Sequence, residues 1–154
     1  MDPIRCVFLG KTAVGKTTLL KRAAYDFGPV IPTIGVDNQL FDYKGIYFQC
    51  WDTSGVDKFK AVADMFVQHT QIIIYMYDAG RPETLEVESI PQGAIIVANI
   101  YNYEGEIEEG HLSVNAYDRT SVDVLLDSII EKAPSQQEIR KSGKVQTQEC
   151  CSCF

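Results

Sequence analysis

Ile4-Arg5-Cys6-Val7-Phe8-Leu9-Gly10-Lys11-Thr12-Ala13-Val14-Gly15-Lys16-Thr17 decides the fold. Its first six residues form a short apolar run closed by glycine, the pattern of a buried strand in a parallel sheet. The remaining eight satisfy G-x-x-x-x-G-K-[ST], a phosphate-binding pattern whose meaning depends on its joining a strand to a helix. A helix is expected next. From Gly15 to about Tyr25, Leu19, Leu20, Lys21, Arg22, Ala23 and Ala24 run without a breaker, and Gly28-Pro29 supplies the stop. In such a loop the glycines let the backbone wrap a phosphate, while the amides and the helix N-terminus point positive charge at it. Lys16 reaches the outer phosphates, and the Thr17 hydroxyl can ligate Mg²⁺. The phosphate-binding set is therefore Gly10, Thr12, Ala13, Val14, Gly15, Lys16, Thr17 and Thr18.

Downstream, residues 39–43 and 47–51 alternate or are aromatic-rich on either side of Lys44-Gly45, which predicts an antiparallel hairpin. Between Asp57 and Thr70, Phe59, Val62, Ala63 and Phe66 recur at helical spacing. The continuous apolar runs 72–77 and 94–98 suit central parallel strands, and His111 to Ala116 predicts a weaker sixth. Val122, Leu125, Leu126, Ile129 and Ile130 form one apolar stripe behind Thr120-Ser121, a capped closing helix. The fold class is α/β: a mostly parallel six-stranded sheet with one antiparallel strand and trimmed helices on one face. Trimming shows where Pro82 to Ser89 leaves room for about two helical turns, and where residues 103–110 hold two glycines and no apolar stripe. Such short crossovers would leave the strand faces at 72–77 and 95–97 poorly covered, inviting a homodimer or another partner. After Ala133-Pro134 the sequence turns polar and loses periodicity, so 1–133 is the domain and 134–154 a flexible tail.

A length of 154 residues supports one substantial core. No window holds the roughly eighteen apolar residues that a membrane span needs, and the net charge of -7 would repel a phosphate backbone, so no nucleic-acid partner is expected. Met1 to Arg5 shows no secretory pattern. Cys6 and Cys50 sit singly in apolar runs while Cys150, Cys151 and Cys153 crowd the end, neither a disulfide framework nor a zinc pattern. Reduced thiols inside the cell fit this usage.

Pro32-Thr33-Ile34-Gly35-Val36-Asp37 and Trp51-Asp52-Thr53-Ser54-Gly55 resemble the switch segments of Ras-like small GTPases, and Thr-Ile-Gly-Val-Asp with Trp-Asp-Thr resembles the Rab branch above others. The resemblance covers about residues 4–133. It implies a guanine nucleotide, GTP or GDP, with Mg²⁺ as cofactor. It makes Thr33 a Mg²⁺ ligand and sensor of the terminal phosphate, Asp52 a Mg²⁺ holder through water, and the Gly55 amide a donor to that phosphate. Effector and regulatory proteins would engage segments 29–37 and 52–66. Two loops tied to one phosphate are released together when it leaves.

The chain departs from this pattern in three places. Val56 stands where relatives carry the glutamine that orients the attacking water; it neither donates nor accepts a hydrogen bond, so hydrolysis should be slow. Asp57 is the polar neighbour. The base-recognition motif Asn-Lys-x-Asp becomes Asn99-Ile100-Tyr101-Asn102, losing both the lysine along the base edge and the aspartate that accepts two guanine N–H groups. Ser-Ala-Lys survives as Asn115-Ala116-Tyr117, leaving Asn99, Asn102 and Ala116 as the base-binding set. The ending Cys151-Ser152-Cys153-Phe154 fits C-a-a-X of the geranylgeranyl type, with Cys150 as a second lipid site and Arg140, Lys141 and Lys144 as a thin basic patch. A cytoplasmic protein held peripherally on a membrane face is the expectation. Glu104, Glu106, Glu108 and Glu109 are expected in a solvated loop, and His69 and His111 in packing or surface roles.

Three functions fit these residues: a Rab-type switch in vesicle trafficking or signalling, a pseudo-GTPase interaction module that does not cycle nucleotide, and a phosphate-loop kinase or ATPase.

Overall fold

The opening apolar run becomes β1 (Ile4–Leu9), and everything else is arranged around it. The computed structural model describes residues 2–56 and 60–134. After β1 come α1 (Lys16–Ala23), β2 (Val36–Tyr43), β3 (Ile46–Thr53), α2 (Lys60–Val67), β4 (Ile72–Asp78), β5 (Ile95–Asn99), β6 (Leu112–Val114) and α3 (Arg119–Lys132). The strands form one sheet in the order β2-β3-β1-β4-β5-β6, antiparallel only between β2 and β3. The hairpin is thus the expected one, turning at Lys44-Gly45, both at positive φ.

One sheet face is covered by helices. Leu19, Leu20 and Ala23 of α1 and Val122, Leu125 and Ile129 of α3 pack on Cys6, Phe8, Ile74 and Val97. The hairpin closes this core with Phe41 stacked on Phe48 at 5.2 Å between ring centroids. On the opposite face α2 lays Phe66 against Trp51. Short 3₁₀ turns at Pro82–Thr84 and Val87–Ser89 stand where a longer crossover helix would lie.

The expected bare strand faces are not bare. Tyr75, Tyr77, Ala79 and Ala98 are buried beneath Leu85, Ile90, Ile100, Tyr103 and Ile107, so the crossover loops cover β4 and β5 without helices. Buried hydroxyls satisfy the backbone that a helix would have satisfied itself. Thr84 Oγ1 accepts from the Asp78 N–H (2.9 Å) and donates to Arg81 O (2.7 Å), and Tyr75 Oη donates to Thr84 O (3.3 Å). These loops occupy the strand faces on which the expectation of a homodimer rested. His111 packs in this second core, its Nδ1 2.9 Å from Tyr77 Oη, while His69 is exposed.

The cap of α3 is also corrected. Asp118 is its N-cap and accepts from the Thr120 N–H at 3.2 Å, whereas Ser121 Oγ accepts from the Asn115 N–H at 2.8 Å and so anchors the preceding turn. Strand β6 spans three residues, shorter than the expected 111–116. Glu104, Glu106, Glu108 and Glu109 are exposed, and among the described residues no group of three His, Cys, Asp or Glu side chains is placed to hold a metal. No helix among the described residues is long and apolar enough to cross a membrane. Asp57, Phe59 and the tail from residue 135, with Cys150 and Cys151, lie outside the described residues.

Candidate functional site

Beyond Leu9 the chain turns through Gly10, whose φ of 143° and close approach to β4 require glycine: a Cβ there would lie 2.1 Å from Met76 O. Ala13 (φ 61°) and Gly15 (φ 106°, the N-cap of α1) complete a loop curled by left-handed residues, the conformation that gathers backbone N–H groups into anion-binding concavities. Lys16 is buried under this loop, 5% exposed, with Nζ donating to Gly10 O (2.8 Å) and Lys11 O (2.7 Å). An ammonium has three N–H groups, so one remains for a further acceptor. Burial lowers the Lys16 pKa to about 8, opposed by the Asp52 carboxylate.

Three oxygen-bearing side chains meet beside it from three different elements. Thr17 Oγ1, on the first turn of α1, lies 2.9 Å from Thr33 Oγ1 and donates to Asp52 Oδ2, at the end of β3. Thr33 Oγ1 also donates to Asp52 Oδ2 at 3.1 Å. Asp52 is 1% exposed, and its Oδ1 has no hydrogen-bond partner within the protein. Burial raises its pKa, countered by the hydrogen bonds from Thr17 and Thr33 and by Lys16, and reinforced by Asp37. An orphaned carboxylate oxygen beside two hydroxyls is an all-oxygen donor set, which suits a hard divalent cation. These residues fit Mg²⁺.

The second loop closes over the first. A Cβ on Gly55 would lie 2.1 Å from Thr12 N, so only a glycine lets residues 54–56 rest on the phosphate loop. The Ser54 N–H donates to Gly35 O at 2.7 Å, tying the segment after β3 to the one before β2. Val56, half-exposed, lines the same cleft.

The cleft has a volume of about 460 Å³ and runs from Lys16, Thr17, Thr18 and Thr33 past Val14 to Asn99, Tyr101 and Tyr117. Asn99 staples its two ends: Nδ2 donates to Val14 O (2.9 Å), and Oδ1 accepts from the N–H groups of Tyr101 (3.2 Å) and Ala116 (3.3 Å). Asn102 is not brought in. It is exposed, at φ 56°, and absent from the cleft wall, while Ala116 is buried with its N–H engaged by Asn99. Sequence reasoning missed Arg81, whose Nη2 donates to Ala13 O (2.5 Å) and Nε to Asp78 Oδ2 (2.9 Å), pinning the tip of the phosphate loop. It also missed the pairing of Tyr101 with Tyr117, 4.4 Å between ring centroids. Both tyrosines sit inside the degenerate motifs, but neither their pairing nor the contact of Arg81 left a signal in the sequence.

A sheet of this order, a phosphate loop after its central strand and a Thr-Thr-Asp cluster beside that loop define a Ras-like small GTPase. The model of the ADP-ribosylation factor family matches residues 2–152, and the chain belongs to that family of small GTPase switches. The match is to the ADP-ribosylation factor family, and it sets aside the kinase or ATPase reading.

Proposed function

We propose that the chain binds GTP and GDP with Mg²⁺ in this cleft and presents different surfaces with each. The observation that carries the reading is the buried Asp52 carboxylate, its Oδ1 unpartnered and its Oδ2 shared by Thr17 and Thr33, next to a buried lysine. Lys16 would donate its remaining N–H to a phosphate oxygen, a charge-assisted bond of the stronger kind. Thr17, Thr33 and Asp52 would hold Mg²⁺, which when bound supplies positive charge to the phosphate oxygens. Thr33 and Gly55 belong to the two segments joined by the Ser54–Gly35 hydrogen bond, so a change felt at the terminal phosphate reaches both. Effectors and regulators would read segments 29–37 and 52–66.

Turnover should be slow, because Val56 can position no water. That same residue supports the second reading, an interaction module that retains nucleotide without cycling. Single-turnover hydrolysis of preloaded GTP separates the two: Val56→Gln should be faster than the natural protein, and equal rates would show that Val56 is not the limiting defect. For binding itself, Thr17→Asn should weaken Mg²⁺-dependent GTP binding, and unchanged titrations would sink the proposal.

The Rab-like spelling of 33–37 and 51–53 and the adjacent Cys150 and Cys151 support a lipid-anchored protein on the cytoplasmic face of a membrane, acting in vesicle trafficking. One lipid chain gives reversible binding, and a second lipid or the basic patch strengthens it. Cys151→Ser should move the protein from the membrane to the soluble fraction; a variant that stays on membranes would remove the prenyl assignment.

A further inference from the structure

At the base end of the cleft the backbone N–H groups of Tyr101, Ala116 and Tyr117, which could read a base edge, are already used. The Tyr101 and Ala116 N–H groups both point to Asn99 Oδ1, and the Tyr117 N–H donates to Asn115 Oδ1 at 3.0 Å. The one carboxylate among the lining residues, Asp78, accepts from the Gly80 N–H through Oδ1 and from Arg81 Nε through Oδ2, both at 2.9 Å. What this end offers instead is aromatic surface. Tyr101 and Tyr117 are 46% and 49% exposed, come from two different loops, and lie against one another with rings tilted by 41°.

Large aromatic faces left half in water on a cleft wall lose little by taking up a flat ring and gain the removal of apolar area from solvent. Stacking on an aromatic side chain does not distinguish bases, because every base has a π-face; discrimination comes from hydrogen bonds left unpaired by the wrong partner. We infer that Tyr101 and Tyr117 form a stacking platform for the nucleobase and that the site accepts purine nucleoside triphosphates with little preference for guanine. This deepens the nucleotide reading of the cleft and rests on it. Asn99 acts as a positioning residue, since it holds both tyrosine loops and the phosphate loop in one frame.

The test is calorimetric titration of the full chain with Mg²⁺ and, in turn, GTP, inosine triphosphate, ATP and inorganic tripolyphosphate. Tripolyphosphate reports on the phosphate end alone. The three nucleotides should bind within about tenfold of one another, and Tyr101→Ala and Tyr117→Ala should each weaken all three by about tenfold. Tripolyphosphate affinity should be unmoved by either change. Tyr101→Phe and Tyr117→Phe should restore nucleotide affinity, a result that a merely damaged fold would not give. A GTP preference over ATP above about a thousandfold, the range that hydrogen-bond readers reach, would overturn the inference while leaving the nucleotide reading intact. So would alanine variants that bind nucleotide as the natural protein does. If neither tripolyphosphate nor any nucleotide binds, both readings fall together.

Discussion

The two ends of the cleft are built from opposite uses of the same groups. At the phosphate end polar atoms are left over: Asp52 Oδ1 has no partner, and Lys16 Nζ has spent two of its three N–H groups. At the base end polar atoms are spent: three loop N–H groups are capped by Asn99 and Asn115 side chains. A site with unspent buried polar groups is prepared for a ligand that completes them, because their desolvation has been borne in advance. A site whose backbone N–H groups are satisfied internally offers a base chiefly shape and apolar surface. Affinity should therefore be concentrated at the phosphates and selectivity should be low at the base.

The largest break in this contrast is Lys16→Ala. Loss of a charged phosphate contact should cost about 1.5–3 kcal/mol or more, roughly 10- to 150-fold in affinity for GTP and tripolyphosphate alike. Equal affinities by titration would show that the lysine remains curled on its carbonyls when ligand binds. Asn99→Ala comes next, since it removes three hydrogen bonds at once and leaves the buried Ala116 N–H unsatisfied. Unfolding free energy should fall by about 1–3 kcal/mol, and both ends should weaken together. A loss confined to the base end in urea melts and titrations would mean that the staple to Val14 does nothing.

Arg81→Ala sharpens the comparison. It frees the Ala13 carbonyl and the Asp78 carboxylate, both partly solvated, so phosphate affinity should drop by about threefold to tenfold, the range for one exposed-to-intermediate charged hydrogen bond. Asn102→Asp should do least. The residue lies outside the cleft wall, and restoring the family's aspartate there should change GTP binding by less than about 0.5 kcal/mol; a gain of guanine preference would place Asn102 at the base after all.

Most of the fold was legible because it follows from local pattern. Continuous apolar runs gave β1, β4 and β5, Lys44-Gly45 gave the hairpin, and the stripe Val122 to Ile129 gave α3. The coverage of β4 and β5 was not legible, because Leu85, Ile90, Tyr103 and Ile107 follow no period and reach the sheet only through turns held by Thr84 and Tyr75. The cap of α3 was misplaced for a simpler reason: Asp118, Thr120 and Ser121 are all good cap residues, and only the bond from Asn115 to Ser121 decides among them. The phosphate end followed from spacing, because strand, loop and helix are contiguous there. The base end joins loops after β5 and β6 that meet only in three dimensions, so the side-by-side placement of Tyr101 and Tyr117 had no trace in either segment alone.

Binding is carried by the phosphate end. Competition against bound Mg²⁺·GTP by tripolyphosphate and by guanosine, each on the natural protein, tests it most directly. Tripolyphosphate should displace GTP at concentrations within about a hundredfold of GTP itself, the stacking of one base being worth about 1–3 kcal/mol, while guanosine should not compete measurably. Displacement by guanosine with no effect of tripolyphosphate would contradict the account.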